Sequence, residues 1–259
     1  MESLKLGSYE NTVLNMLGSP FRQILGVGGY GTVITTEEYP DLALKISHDI
    51  NTCYLWNNEY NLQKLIYETY NSKGKSVRVV KPLEFAYIEG DRCYILMQRV
   101  CPPVGDIAIH ALLGEIDRDD TDKERGRFVG QKFLKKYVDL ERVAVDLGIF
   151  LATVHFKLKL DGRDLEYILG QRCGTDKKHW ISVIDFGMVT EYSKEGAISS
   201  IDAMFYFPLR STCEFYECTT EQTKYNAILS ELFATSYIDE AGQYGMGKEA
   251  AEIIDLASE

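Results

Sequence analysis

From Phe21 to Val100 the apolar positions fall in short runs broken by glycine and polar residues. Phe21–Leu25, Thr32–Thr36 and Leu42–Ile46 predict three extended strands. Thr52–Thr69 changes period: Leu55, Trp56, Leu62, Leu65 and Ile66 recur at roughly helical spacing and predict one helix. Val77–Pro82 with Leu83–Ile88, and then Arg92–Val100, return to strand, joined by the turn Glu89-Gly90-Asp91. Cys101-Pro102-Pro103 ends the run, because two prolines cannot continue a ladder. Beyond it the pattern turns helical. Val104–Ile116 predicts a helix, and Phe133–Leu158 a long amphipathic one with Leu140, Val143, Ala144, Leu147, Leu151 and Val154 on its core stripe. Asp117–Arg125 is a charged run that reads as a solvated loop. The first twenty residues read as a short helical or irregular lead-in, and the tail from 191 is apolar enough to fold. The expected class is α+β: a small antiparallel sheet with one main helix in residues 1–101, and a reduced, mostly helical unit in 102–259.

Composition narrows the partners. The 259 residues carry a net charge of −11, which argues against broad nucleic-acid binding, since that needs a basic footprint. No stretch approaches the ~20 apolar residues of a membrane span, and Met1-Glu2-Ser3-Leu4-Lys5 lacks a basic-then-apolar signal peptide. A cytoplasmic site of action is expected, a host cell's cytoplasm if the protein is an effector or viral. The six cysteines include no C-x-x-C pair and read as reduced, buried thiols. Cys173 and His179 lack the further ligands that zinc would need.

The chemistry begins at Gly26-Val27-Gly28-Gly29-Tyr30-Gly31-Thr32-Val33. Glycines let backbone N–H groups approach an anion without a Cβ in the way. They lie between two predicted strands, so the segment reads as a strand-turn-strand flap over phosphates, with Gly26, Gly28 and Gly31 in that role. A Rossmann turn would open a helix instead. Lys45 follows in the apolar strand Leu42-Ala43-Leu44-Lys45-Ile46 and needs a partner if it is buried. Glu59, within the predicted helix, is the candidate; Glu68 falls at the helix end and suits less well.

A second set lies after the long helix. Ile181-Ser182-Val183-Ile184-Asp185-Phe186-Gly187 is an apolar strand that ends in an aspartate able to hold Mg²⁺ on nucleotide phosphates. Upstream, Asp161 and Asp164 compete to orient an acceptor hydroxyl. Glu166 stands five residues after Asp161, the spacing between base and metal ligand in H-R-D-x-x-x-x-N, so Asp161 is preferred as base and Glu166 as the second metal ligand.

Flap, strand lysine, helix glutamate, carboxylate loop and Asp-Phe-Gly stand in the order of the protein-kinase-like superfamily, which the chain resembles as a divergent member. The resemblance covers residues 21–100 and 140–190. It implies a bilobal fold with an N-lobe over 1–101 and a C-lobe over 102–259, and ATP and Mg²⁺ as cofactors. It implies that Val27, Val33 and Ala43 line the nucleotide site, that Met97 is its gatekeeper, and that Gln98 to Val100 supply hinge backbone groups. The string Asp161–Gly170, with Ile184-Asp185-Phe186 and Tyr206-Phe207-Pro208, is similar to an uncharacterised, mainly fungal kinase-like family. Departures are also plain. There is no His-Arg-Asp and no Ala-Pro-Glu, and the Asn slot holds Glu166 or, with a one-residue shift, Tyr167. The expectation is an ATP- and Mg²⁺-dependent phosphotransferase, with a protein Ser/Thr hydroxyl favoured over a small-molecule acceptor. A pseudokinase scaffold is the alternative, and AMP transfer a third.

Overall fold

A computed structural model describes residues 21–70, 74–88, 92–122, 126–174, 178–202 and 218–258. The lead-in, the turn Glu89-Gly90-Asp91 and Tyr206-Phe207-Pro208 lie outside the described residues.

The first sheet follows the sequence pattern closely. Its strands are β1 (Phe21–Val27), β2 (Gly31–Thr36), β3 (Leu42–Ser47), β5 (Pro82–Ile88) and β6 (Arg92–Gln98), in the spatial order β1-β2-β3-β6-β5, all antiparallel. Alternation along β6 buries Cys93, Ile95 and Met97 on one face. Against that face packs helix α1 (Cys53–Thr69), which buries Trp56, Glu59, Gln63 and Ile66. The Gln63 amide donates to the Val80 carbonyl at 2.9 Å, fixing the helix against the chain that leads into β5.

The second sheet is where sequence and structure part. β4 (Val77–Val79) lies within 1–101 yet pairs in parallel with β12 (Trp180–Ile184), in a seven-stranded sheet. The order runs β4-β12-β11-β8-β10-β9, with β11 at Glu166–Arg172, β8 at Ile109–Ala111, β10 at Gly126–Val129 and β9 at Asp119–Asp122. β7 (Val100–Cys101) pairs with the end of β11. The unit is therefore less helical than its pattern predicts. The helix expected over Val104–Ile116 is absent; Ile109–Ala111 is instead a fully buried strand. Prolines and Gly105 break the run before it, and pairing with β10 and β11 satisfies its backbone. Within the expected loop at 117–125, Asp119–Asp122 is exposed as predicted but forms a strand, with Arg127 on β10 forking onto Asp119 at 2.7 Å twice.

The long helix is shorter than expected and broken. A turn of helix, α2 (Gln131–Leu134), precedes α3 (Leu140–Ala152), whose first turn is capped by the Asp139 carboxylate. α3 ends in a π turn over Thr153–Lys157. The predicted stripe is buried throughout, and α3 packs on α5 (Thr220–Gln243). At the crossing a Cβ on Gly148 would stand 2.5 Å from the Phe233 carbonyl oxygen. α4 (Lys194–Asp202) and α6 (Gly247–Ser258) complete the described chain. Among the described residues, no helix is long and apolar enough to cross a membrane.

The reduced-thiol expectation is overturned. Cys53 at the start of α1 is bridged to Cys93 on β6, and Cys101 on β7 to Cys173 beyond β11. Among the described residues no cysteine is free. The pairs are 40 and 72 residues apart, so no local spacing rule could reveal them.

Candidate functional site

Lys45 projects from β3, where it stands opposite Val33 on β2 and Ile95 on β6. Its ammonium lies 2.7 Å from Glu59 Oε1 and 3.3 Å from Asp185 Oδ1. These three residues come from a strand, a helix and the end of a strand in the other sheet, so the fold itself assembles the cluster. Glu59 is almost fully buried, while about two fifths of the Asp185 side chain remains open to solvent. Glu59 also accepts the backbone N–H of Phe186, whose ring is buried in the main core. Burial alone would lower the Lys45 pKa, but the two carboxylates beside it more than reverse this and hold it well above the usual lysine range. Burial raises the Glu59 carboxyl; Lys45 opposes that shift and the nearby Asp185 adds to it.

The flap is built as its glycines require at one point and freely elsewhere. Gly28 N–H donates to the Gly31 carbonyl at 2.8 Å, closing the turn, and Gly28, Gly29 and Tyr30 are exposed. A Cβ on Gly26 or Gly29 would meet nothing within 4 Å. Gly31 is different: a Cβ there would collide with Trp56 and with the Ile46 carbonyl. Its need for glycine is therefore set by packing.

Beside the flap lies an apolar cluster. Ala43, opposite Met97 in register, packs in one cluster with Met97, and Leu25, Val33, Val100 and Ile184 lie against it. This gathers Val33, Ala43, Met97 and Val100 and adds Leu25 and Ile184, which the motifs gave no reason to single out. Val27 faces Thr32 across the flap. The backbone donors expected to serve as a hinge are partly committed to other carbonyls. Gln98 N–H bonds the Lys81 carbonyl at 3.0 Å and Arg99 N–H the Asp41 carbonyl at 2.8 Å.

The two candidate bases differ sharply. Asp161 has no exposed surface. Its Oδ1 accepts the Thr190 backbone N–H at 2.9 Å and the Arg163 N–H at 3.2 Å, and its Oδ2 accepts the Thr190 hydroxyl at 2.7 Å and pairs with Arg163 Nε at 2.7 Å. A carboxylate so enclosed cannot meet an acceptor hydroxyl, which runs against the preference for Asp161 as base. It straps its loop to the segment after Asp-Phe-Gly, a link reinforced by the Asp161 N–H bond to the Thr190 carbonyl. Asp164 is exposed at the turn of the same loop, with φ of 59°. Among the described residues the non-glycine positive-φ positions are Lys159, Asp164 and Asp185. Each costs on the order of 1–2 kcal/mol. That these sit on the carboxylate loop and the Asp-Phe-Gly turn marks both as places where conformation is imposed by the surroundings.

Glu166 opens β11 opposite Ile184, the residue before Asp185, and its Oε2 lies 3.8 Å from His110 Nδ1. Tyr167, the alternative for the Asn slot, is buried. Among the described residues no cluster of three or more His, Cys, Asp or Glu side chains is arranged to hold a metal. Mg²⁺ typically takes one or two protein carboxylates and completes its shell with phosphate oxygens and water. The sequence assigns that role to Asp185, whose carboxylate is partly open, and to Glu166 at the start of the adjacent strand.

No family model matches the chain, and no curated protein matches it. Similar solved structures include the kinase domain of PF14_0431, at 12% identity over 93% of this chain and 95% of that one, with a TM-score of 0.44. A double mutant of the Mycobacterium tuberculosis PknI kinase domain gives 12% identity, 93% and 94% coverage, and a TM-score of 0.44. Both likenesses are weak, and the functional reading rests on the site's own geometry.

Proposed function

We propose that the chain is an ATP- and Mg²⁺-dependent phosphotransferase of protein-kinase type, with two lobes meeting near residue 101. The observation that carries this reading is Lys45 held between Glu59 and Asp185. A lysine fixed in this way presents a permanent positive charge to the phosphates, and the flap above it offers backbone N–H groups. The adenine ring would lie against the apolar side chains of Leu25, Val33, Ala43, Met97, Val100 and Ile184. Mg²⁺, when bound, would be held by Asp185 and Glu166 and would neutralise charge on the transferred phosphoryl group. Asp164 orients the acceptor hydroxyl, and Asp161 keeps the loop in place through Thr190 and Arg163. The glycine flap favours a protein Ser/Thr acceptor over a small alcohol.

A second reading, a nucleotide-binding scaffold without turnover, is favoured by one observation: the enclosed Asp161 and buried Tyr167 leave fewer catalytic groups than the loop's sequence offers. One experiment separates the two. The chain is incubated with γ-labelled ATP and Mg²⁺, alone, with a generic protein, and with small alcohols, and adduct masses are recorded. The expected result is phosphate on protein hydroxyls, reduced at least about a hundredfold in Lys45→Ala, Asp185→Ala and Asp164→Asn. Label on small alcohols alone would overturn the acceptor, an AMP adduct would overturn the group transferred, and ATP bound without turnover would favour the scaffold.

A further inference from the structure

Gly31 and Trp56 lie closer than phosphate binding by a glycine requires. A Cβ on Gly31 would stand 2.2 and 2.4 Å from the indole carbons Cη2 and Cζ2. The same indole lies under the lysine of the site, with Lys45 Nζ 5.0 Å from the ring centroid. Trp56 is 3% exposed. It stands three residues before Glu59 on α1, and so on the same helix face. One side chain thus touches the base of the flap, faces the ammonium, and is carried by the helix that carries the ammonium's partner. The face of an aromatic ring is its negative region, and a cation within about 6 Å of the centroid is attracted to it. Glu59 and Asp185 fix the ammonium by charge, and the indole face closes another side.

We propose that Trp56 is a positioning residue for Lys45: wedged beneath Gly31, it holds the ammonium between Glu59 and Asp185. The inference rests on the ATP-binding reading above. It assigns the indole no contact with nucleotide and no part in the reaction; its effect passes through Lys45.

The test uses the full chain and Mg-ATP, with affinity measured by calorimetry and with kcat, KM and melting temperature recorded beside it. Trp56→Leu is expected to weaken Mg-ATP about two- to thirtyfold, the span a cation–π contact implies. Trp56→Phe, which keeps a ring face, is expected to restore most of the loss. In a Lys45→Met background Trp56→Leu is expected to add nothing, because the group it positions has gone. An equal loss in both backgrounds would reveal a general packing role and overturn the proposal, as would unchanged binding in Trp56→Leu. Where Trp56→Leu does not fold, Gly31→Ala takes its place. The added Cβ meets both the indole and the Ile46 carbonyl, and only the first clash is relieved in Trp56→Phe; binding should therefore weaken in the parent and less in Trp56→Phe, and equal losses would again overturn the proposal. If the unsubstituted chain takes up no Mg-ATP, the ATP reading itself fails and this inference falls with it, an outcome visible before any substitution is made.

Discussion

His155 shows how far a single residue can be specified. Its ring is wholly buried, with Nε2 3.0 Å from the Asp161 carbonyl oxygen and Nδ1 2.8 Å from the Tyr237 hydroxyl. A carbonyl only accepts, so Nε2 carries the hydrogen and Nδ1 accepts from Tyr237. Ser200 fits the same assignment, since its hydroxyl donates to the Ala197 carbonyl and its Oγ is left to accept from Nε2. Burial pushes the ring down to about 4 from its ordinary 6.5, with the Asp161 carbonyl and charge opposing. The folded state therefore refuses a proton that the unfolded chain accepts between those values. Stability from this group is complete above about pH 6.5 and is lost as pH falls towards 4, by on the order of 3 kcal/mol. Denaturant midpoints from pH 7 to 4 should fall more steeply for the parent chain than for His155→Gln. Equal slopes would mean the imidazole is not the acid-sensitive group. At this scale the pairing of Lys45 with Glu59 was legible, because a lysine in an apolar strand needs a carboxylate partner. Asp161 was not, because only the fold decides that Thr190 and Arg163 enclose it.

Elements were legible where one face of a periodic segment meets one core. The strands of the first sheet, α1 and the stripe of α3 have that form. β8 does not: three residues buried on both faces, with His110 at the centre, give no period that separates strand from helix. β9 fails for the opposite reason. Asp119–Asp122 is exposed and acidic, and its pairing comes from β10 and from Arg127, which propensity cannot see. The contact between α3 and α5 gives the sharpest element-scale prediction. Besides the Phe233 carbonyl, a Cβ at Gly148 would meet Ser236 Oγ at 2.2 Å and the Tyr237 N–H at 2.9 Å. The serine can rotate, but the two backbone groups belong to the middle of a helix. Gly148→Ala is therefore expected to force the helices apart and destabilise the chain by about 1–3 kcal/mol, read as a lower urea midpoint, despite alanine's better helix propensity. A midpoint equal to or above the parent's would show that the crossing tolerates a methyl group.

For the whole molecule the disulfides matter most. Bridges of this kind persist in oxidising surroundings, which runs against a reducing cytoplasm. Each should contribute about 2–4 kcal/mol by restricting the unfolded chain. Reductant is thus expected to lower the melting temperature, and alkylation of the denatured, unreduced chain should leave Cys53, Cys93, Cys101 and Cys173 unmodified. Free thiols at these positions would remove both expectations. Cys53–Cys93 anchors the start of the helix that carries Glu59, and Cys101–Cys173 fastens the strand after Met97 to the far end of β11. The second bridge makes residues 101 to 173 a covalent ring, and within it lie Asp161, Asp164 and Glu166. A protease that cuts once anywhere in that ring releases no fragment. The nicked chain would run as a single species on a non-reducing gel and as two pieces once thiol is added, and its severed halves would stay together through unfolding.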